Sequence, residues 1–338
     1  MMRLRISLLI FLVGLGLGVL ALFWLVAQPF VAMRPSTPPS VDPSQLEAHV
    51  RVLSEQFYPR SFDRPDHLDE VASYIRSEFE KTGGRVTEHR FPAQEAEYRN
   101  VIAHYGPERG PVLVIGAHYD SFADLWSSAA SRGPSRDTHT PGADDNASGV
   151  AGLLELGRLL GQTAPSTSVE LVAYSLEEPP HFRTQAMGSS WHARELRKSG
   201  REVRLMLSLE MIGYFTSTPG SQKYPLSALS FIYPDQGDFI AIVGRVQDWA
   251  ATRRIKGIMR GATNLSVYSI NAPPAFPGVD FSDHGNYWVE GFSGLMITDT
   301  AFYRNPHYHG AGDAAERLDY VRMAKVVQAI YAVAQHGG

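Results

Sequence analysis

The sequence predicts an α/β fold in which a central sheet carries helices on both faces. Short apolar runs, which are typical of buried strands, alternate with segments whose apolar residues recur at helical spacing. Hydrophobic residues make up 44% of the 338-residue chain and charged residues 20%. This balance is that of an ordinary globular protein and excludes a disordered chain.

The predicted elements follow one another in a regular order. Two helices come first, over residues 43–57 and 64–81, and Gly83–Gly84 ends the second. Strands over 85–91 and 98–105 form a hairpin. Buried strands then follow, with one helix after the first of them and another at the end of the chain. These strands span 112–117, 169–175, 205–209 and 294–298, and the two helices span 146–160 and 318–334.

An unbroken apolar run from Ile6 to Ala27, preceded by Arg3 and Arg5, stands apart from this pattern. At about 1.5 Å per residue it reaches roughly 33 Å as a helix, enough to cross a bilayer core. A cleaved signal peptide is the alternative, but its apolar region is usually shorter. We expect an uncleaved transmembrane anchor over 1–33, a Pro-rich linker over 34–43 and a folded domain over 44–338.

The charges around the apolar run predict its orientation. Arg3 and Arg5 precede the run, whereas Arg34 stands alone after it. The positive-inside rule then places the N-terminus in the cytoplasm. The protein is therefore expected in the cell membrane as a single-pass protein, with its folded domain periplasmic or extracellular.

Composition also limits the kinds of site that the domain can hold. The chain has no cysteine, which excludes disulfides and thiolate metal ligands. A transition-metal site would have to use His, Asp and Glu, a ligand set that suits zinc. The formal net charge is −4 and no long basic run occurs, so nucleic acid is not an expected partner.

Acidic and histidine side chains follow directly after the predicted buried strands. Open α/β sheets place their sites at the carboxyl ends of strands, so residues from separate segments meet at one edge. The residues in these positions are His118 and Asp120, Glu177 and Glu178, Glu210, and His309. The sequence therefore predicts one site assembled from four segments.

The adjacent pair Glu177–Glu178 has the arrangement that a hydrolytic metal site needs. Two neighbouring carboxylates often lie on a solvated loop, but here Pro179–Pro180 fix a sharp exit from a buried strand. Neighbouring side chains in extended chain point in opposite directions. One carboxylate can therefore bind a metal while the other acts as a general base.

Two further segments offer ligands. Asp144 lies in the glycine-flanked segment 141–149, which could be a surface turn that caps a helix or a loop that directs one carboxylate oxygen to each of two cations. His118 has Asp120 two residues later. Metal-binding histidines commonly donate their other N–H to a carboxylate, which favours a metal ligand over a core histidine.

Together these motifs resemble the M28 family of zinc aminopeptidases and carboxypeptidases. The resemblance covers roughly residues 47–335, and five motifs occur in the family's order: His-Tyr-Asp-Ser at 118–121, Gly-Ala-Asp-Asp-Asn at 142–146, Glu-Glu at 177–178, Ser-Leu-Glu-Met at 208–211 and His-Gly-Ala-Gly-Asp at 309–313. The resemblance implies a mixed, largely parallel sheet of about eight strands with helices on both faces.

The resemblance also implies the role of each site residue and a cofactor of two Zn²⁺ ions. Asp144 would bridge the metals and form a cis peptide with Asp145, while Asp120 would orient a histidine and Glu177 would be the general base. The remaining metal ligands would be His118, Glu178, Glu210 and His309. Glu210 departs from the family pattern, which usually has Asp at this position.

The expected activity is that of a membrane-anchored exopeptidase of the aminopeptidase type. A water that bridges the metals would lose its proton to Glu177 and attack the N-terminal peptide bond of a peptide substrate. A carboxypeptidase, a mononuclear acyltransferase of the glutaminyl-cyclase type and a non-catalytic membrane receptor of the same fold are the alternatives. The cyclase type usually lacks the His118 ligand, which is present here.

Overall fold

The structure is a computed structural model that describes residues 2–125 and 138–336. For residues 2–6, 8–10 and 19 it describes the backbone alone, so the side chains of Arg3 and Arg5 lie outside the description. Within the described part, one sheet organises the domain. Its eight strands are β1 Arg85–Ala93, β2 Ala96–Tyr105, β3 Val112–His118, β4 Ser168–Tyr174, β5 Val203–Glu210, β6 Phe239–Gly244, β7 Ser266–Asn271 and β8 Gly294–Thr298.

The sheet is mixed, with the order β1-β2-β4-β3-β5-β8-β6-β7. Parallel pairing joins β4 to β3, β3 to β5, β5 to β8 and β6 to β7. The pairs β1–β2, β2–β4 and β6–β8 are antiparallel. The expectation of a largely parallel sheet was therefore wrong. Only two residues, Gln94 and Glu95, connect β1 to β2, and so short a connection forces an antiparallel pair.

Helices cover both faces of the sheet, as expected. They are α1 Met2–Ala27, α2 Pro43–Arg51, α3 Pro65–Glu80, α4 Gly149–Gln162, α5 Gly188–Lys198, α6 Trp249–Ala262, α7 His284–Val289 and α8 Tyr320–Gln335. The larger core lies under α2, α3, α4, α6 and α8, and a smaller one lies under α5 and α7. Burial of these apolar faces, at about 25 cal/mol per Å², is the main driving force for this packing.

The segment that follows α1 has no regular structure but lies against the domain. Gln28 is buried, and the backbone N–H of Arg34 donates to the carbonyl of Gly257 on α6 at 2.9 Å. The side chain of Gln328 on α8 donates to the carbonyl of Pro39 at 3.0 Å. Across the described residues, no helix combines the length and hydropathy that a membrane crossing requires.

Candidate metal centre

Three adjacent parallel strands bring the predicted site residues to one edge of the sheet. His118 and Glu210 are the last residues of β3 and β5, and Glu177–Glu178 follow β4 after a turn. The chain turns sharply at these strand ends, because Leu176 (φ 62°) and Met211 (φ 52°) adopt left-handed backbone conformations. Such conformations cost of order 1 kcal/mol in a non-glycine residue and concentrate at functional sites.

Two groups of side chains, each containing one histidine, share Asp145. In the first, His118 Nε2 lies 3.3 Å from Asp145 Oδ1 and 3.5 Å from Glu210 Oε2. In the second, His309 Nε2 lies 3.2 Å from Asp145 Oδ2 and 3.2 Å from Glu178 Oε2. The ligand-type atoms of each group lie within 4.8 Å of one another. Each group could hold one cation, with one oxygen of Asp145 directed to each.

The shared carboxylate is Asp145, and the expectation that Asp144 lies between the two histidines was wrong. Asp144 Oδ1 accepts the backbone N–H of Gly213 at 3.0 Å, and Asp144 Oδ2 accepts the side-chain amide of Asn305 at 3.0 Å. The cis peptide bond likewise joins Asp145 to Asn146 rather than Asp144 to Asp145. Adjacent side chains point in different directions, so only one of two successive aspartates can face both histidines. The backbone conformation of the loop determines which one does.

Asp120 supports the site mainly through the glutamate pair. Its Oδ1 accepts the backbone N–H of Glu177 at 3.1 Å, and its Oδ2 accepts that of Glu178 at 3.0 Å. His118 Nδ1 lies 3.1 Å from the backbone carbonyl oxygen of Asp120 and 3.5 Å from its Oδ1. His118 is therefore held by the backbone carbonyl of Asp120, with the carboxylate farther away, while that carboxylate fixes the turn that presents both glutamates.

Asp313 performs the same task for the loop that carries Asp145. Its carboxylate oxygens accept the backbone N–H groups of Asp144 at 2.9 Å and Asp145 at 3.0 Å. Burial, with Asp144 and Asp145 close by, raises the pKa of Asp313 to about 8. The sequence signal for this role was the position of Asp313, four residues after His309.

Sequence reasoning missed Arg60, which fastens two loops of the site. Arg60 is completely buried and donates from Nε to the carbonyl of Tyr119 at 2.9 Å. Its Nη1 donates to the carbonyl of Pro141 at 2.6 Å, and its Nη2 donates to that of Gly142. Burial lowers the pKa of Arg60 to about 10. No pattern around this residue distinguishes it from a surface arginine.

Aromatic rings hold His309 in place. The ring of Phe122 stacks on one side at a centroid distance of 3.9 Å, and the ring of Tyr308 lies at 3.8 Å, also stacked. The segment over 122–140, between the His118 and Asp145 motifs, therefore starts at the site, and its residues 126–137 lie outside the described residues. His309 itself has a left-handed backbone conformation, with φ 54°.

The residues present fit metal ions. His118 Nε2, His309 Nε2 and Glu178 Oε1 are buried and have no hydrogen-bond partner among the described residues. An unsatisfied buried polar atom costs about 1–3 kcal/mol. In each group an imidazole nitrogen faces carboxylate oxygens, and imidazole with carboxylate is a ligand set that zinc accepts.

Without a metal, protons must balance the charges of this cluster. Burial raises the pKa of Glu178 to about 7, and it raises the pKa of Glu177 well above the usual range. Burial alone would lower the pKa of His309, but the carboxylates of Glu178 and Asp145 raise it to about 10. These shifted groups contribute stability at low pH that is lost as pH rises through about 7 and beyond.

We therefore expect zinc to stabilise the protein more at pH 8 than at pH 6. The metal requires deprotonated ligands and replaces the protons whose stabilising effect fades with rising pH. Thermal unfolding with a chelator and with added zinc at both pH values measures this difference. A variant that carries both His118→Ala and His309→Ala should show no zinc-dependent shift. An equal or larger zinc shift at pH 6 in the unaltered protein would contradict the expectation.

An aromatic cavity opens beside the metal centre. It encloses about 870 Å³, its open mouth included, and both Glu210 and Tyr308 line it. Rings and aliphatic side chains make up most of its wall, among them Tyr233, Phe239, Tyr268, Phe276, Phe281, Phe302 and Met296. A cavity of this composition binds apolar groups, with the metal centre at one end supplying the polar contacts.

A family model described as "Peptidase family M28" matches residues 100–334, which include every residue of the two metal-binding groups. The chain belongs to peptidase family M28. The uncharacterized protein YfbL of Escherichia coli (strain K12) is 53% identical over 303 residues, which cover 90% of this chain and 91% of that protein. Leucine aminopeptidase 1 of Chaetomium globosum is 25% identical over 88% of this chain and 66% of its own length.

Solved structures share the fold of this M28 peptidase. A Zn-dependent exopeptidase from Parabacteroides distasonis superposes with a TM-score of 0.64 and 18% identity, over 88% of this chain and 99% of that one. A glutaminyl cyclase from Bacteroides thetaiotaomicron gives a TM-score of 0.64 and 19% identity, over the same shares. At this identity the similarity shows the fold alone, and the fold is common to peptidases and cyclases.

Proposed function

We propose that the protein is a membrane-anchored aminopeptidase that holds two zinc ions and hydrolyses N-terminal peptide bonds. One observation carries this proposal, namely the pair of histidines on either side of Asp145, each with a further carboxylate. His118, Asp145 and Glu210 would hold one ion, and His309, Asp145 and Glu178 the other. Bound zinc would supply Lewis-acid polarisation of the scissile carbonyl and would ease the ionisation of water.

Glu177 is the general base in this proposal. It is buried, its Oε2 lies 3.9 Å from His118 Nε2, and it is the one carboxylate of the glutamate pair that belongs to neither metal-binding group. Its backbone is fixed by Asp120, so its carboxylate is held beside the ligands. Glu177 would accept the proton of the attacking water and deliver it to the nitrogen of the departing amine.

The aromatic cavity supports a preference for peptides whose N-terminal residue is large and apolar. Tyr308 lies both in the wall of this cavity and against His309, so the cavity continues from the metal centre. The rings that line the cavity would surround an aliphatic or aromatic side chain. The name of the leucine aminopeptidase relative fits this preference.

The membrane anchor in this proposal rests on the sequence. The run from Ile6 to Ala27 is long enough to span a bilayer core, and Arg3 and Arg5 precede it. The catalytic domain would then work on the periplasmic or extracellular side, on peptides present there.

A metal count together with a substrate panel tests the function. The purified full-length chain should bind two zinc ions and release the N-terminal residue from unblocked peptides and aminoacyl fluorogenic substrates. Leucine and phenylalanine substrates should exceed glutamate substrates by at least about tenfold, as an apolar pocket requires. One bound zinc with cyclisation of N-terminal glutamine would establish the cyclase alternative. Two bound zinc ions with release of C-terminal residues would establish a carboxypeptidase.

Glu210 should be required for tight binding of one of the two zinc ions. Its Oε2 lies 3.5 Å from His118 Nε2 and accepts the hydroxyl of Ser282 at 2.7 Å. We expect Glu210→Ala to lower the zinc content from two to one. Glu210→Asp should weaken the same ion because its reach is shorter by about 1.5 Å, roughly one C–C bond.

Metal analysis against free zinc concentration measures both effects. The matched control is Ser282→Ala, which removes the supporting hydroxyl but leaves the ligand. Its affinity for the same ion should fall by only about 10–100-fold. Two tightly bound ions in Glu210→Ala would show that this residue is not a ligand.

A further inference from the structure

The chain that leaves α1 is fastened to α6 and β7. Lys256 is buried and its Nζ donates to the carbonyls of Ala27 and Gln28, both at 3.0 Å. Gln28 is buried as well, and its side-chain amide donates to Asn271 Oδ1 at 2.6 Å. A few residues later, the backbone N–H of Ser36 donates to the carbonyl of Gly261 at 3.1 Å. These contacts fix how the domain sits relative to the end of α1.

Two glycines on α6 make this close crossing possible. A Cβ at Gly257 would lie 2.8 Å from the carbonyl oxygen of Ala32, and one at Gly261 would lie 1.9 Å from that of Arg34. Real Cβ atoms do not approach an oxygen that closely. The segment over 28–36, which we call the strap, therefore has a fixed position along α6. The surroundings of the end of α1 are then fixed relative to the domain as well.

Four arginines lie on or beside the strap. Among the described residues, no ion pair involves Arg34, Arg253, Arg254 or Arg260. Arg253 lies over the ring of Trp24 at the end of α1, 4.7 Å from its centroid, and Arg260 donates to the carbonyl of Val31 at 3.1 Å. Burial and, to a lesser extent, the neighbouring Arg204 and Arg34 lower the pKa of Arg254, so several positive charges lie close together in this region.

Exposed apolar side chains lie among these cations. Phe30 and Met33 on the strap are 77% and 59% exposed. Phe231 is 92% exposed, and the next residue, Ile232, lines the same cavity as Phe23 and Pro29. The turn that carries Phe231 therefore lies beside the end of α1. Aromatic residues mixed with arginines are typical of the boundary between lipid headgroups and acyl chains.

We propose that the juxtamembrane surface, formed by Phe30, Met33, Phe231, Arg34, Arg253, Arg254 and Arg260, docks the catalytic domain onto an anionic lipid bilayer. This inference rests on the proposed membrane anchor. An anionic bilayer is the expected partner because its charge complements the arginines. The surface is also continuous with α1, since the strap leads directly from that helix and contributes Phe30, Met33 and Arg34. Because the strap fixes the domain to the end of α1, the two move as one body. In the docked state this body tilts so that Phe231 reaches into the boundary, and in the free state it stands clear of the headgroups.

The absence of cysteine allows a direct test with the full-length chain. A spin label on Ser230→Cys, next to Phe231, reports contact with lipid through its relative accessibility to oxygen and to a water-soluble nickel complex. In vesicles that contain phosphatidylglycerol, we expect the label to be shielded from nickel. In vesicles of phosphatidylcholine alone, it should be far more accessible. A label on Glu95→Cys, in the turn between β1 and β2, should be water-exposed in both.

The double variant Arg34→Gln/Arg254→Gln tests the charges, because neither side chain makes a hydrogen bond within the described chain. Each cation near an anionic surface favours docking by about fivefold, so the docked-to-free ratio should fall by about twenty-five-fold. Arg197→Gln/Lys198→Gln, at the end of α5, is the matched control and should leave that ratio unchanged. Retained peptidase turnover shows that each variant is folded.

The outcomes separate docking from anchoring. A chain that sediments with both kinds of vesicle but keeps its 230 label exposed to nickel overturns the docking proposal and leaves the anchor intact. Equal shielding on neutral and anionic vesicles also overturns it, because the cations would then play no part. A chain that stays in the supernatant contradicts the anchor, and the docking proposal fails with it.

Discussion

Replacement of Glu177 by glutamine should lower turnover by at least about a hundredfold while both zinc ions stay bound. The range for loss of a general base is about 10²- to 10⁴-fold. Glutamine keeps the shape of the side chain but cannot accept a proton. The backbone of Glu177 is held by Asp120, so the substitution leaves the turn intact.

Steady-state turnover and metal content on the same sample measure this effect. Glu178→Gln is the matched control, because it changes the neighbouring residue in the same turn but removes a ligand of the second group. It should lose activity together with zinc, whereas Glu177→Gln should lose activity alone. Turnover close to that of the unaltered protein would show that another group accepts the proton.

Replacement of Asp145 by alanine should empty both metal positions. Asp145 is the one residue common to the two groups, with Oδ1 toward His118 and Oδ2 toward His309. Its negative charge would also lie between the two cations and reduce their mutual repulsion. Loss of Glu178 or Glu210 should weaken one ion more than the other, but loss of Asp145 should weaken both.

The adjacent residue provides the control for this prediction. Asp144 contacts Gly213 and Asn305 and lies in neither group. Asp144→Asn should therefore retain both ions and lower the stability of the fold by about 1–3 kcal/mol through its altered buried hydrogen bonds. Mass spectrometry under non-denaturing conditions counts the ions in each variant. Two ions in Asp145→Ala, or none in Asp144→Asn, would reverse the assignment of the shared carboxylate.

The sequence predicted which side chains come together where the ends of strands determine their position. His118 and Glu210 end strands, and Glu177–Glu178 follow one, so the geometry of a parallel sheet alone brings them together. The choice between Asp144 and Asp145 lay beyond this reasoning. Both belong to one irregular loop, and hydrogen bonds from the backbone of that loop to the carboxylate of Asp313, far away in sequence, fix how the loop presents its carboxylates.

In the fold, too, some features follow from the local sequence and others depend on residues far away in the chain. Strands β3, β4, β5 and β8 are largely apolar because both of their faces are mostly buried. Strand β7 lies at the edge of the sheet, and its residues alternate between buried and more exposed positions, which gives a weak signal over six residues. The antiparallel direction of β6 depends on the connections around it, which composition and periodicity do not reveal.

Arg60 has a consequence for how this protein can vary. Its guanidinium holds the carbonyls of Tyr119 on one side of the 122–140 segment and of Pro141 and Gly142 on the other. Both ends of that segment are thus held by a residue outside it. Its length and composition can then drift during evolution, or be exchanged by an engineer, while His118 and Asp145 keep their places. Exchanging this one segment between relatives should therefore leave both groups of candidate metal ligands in place.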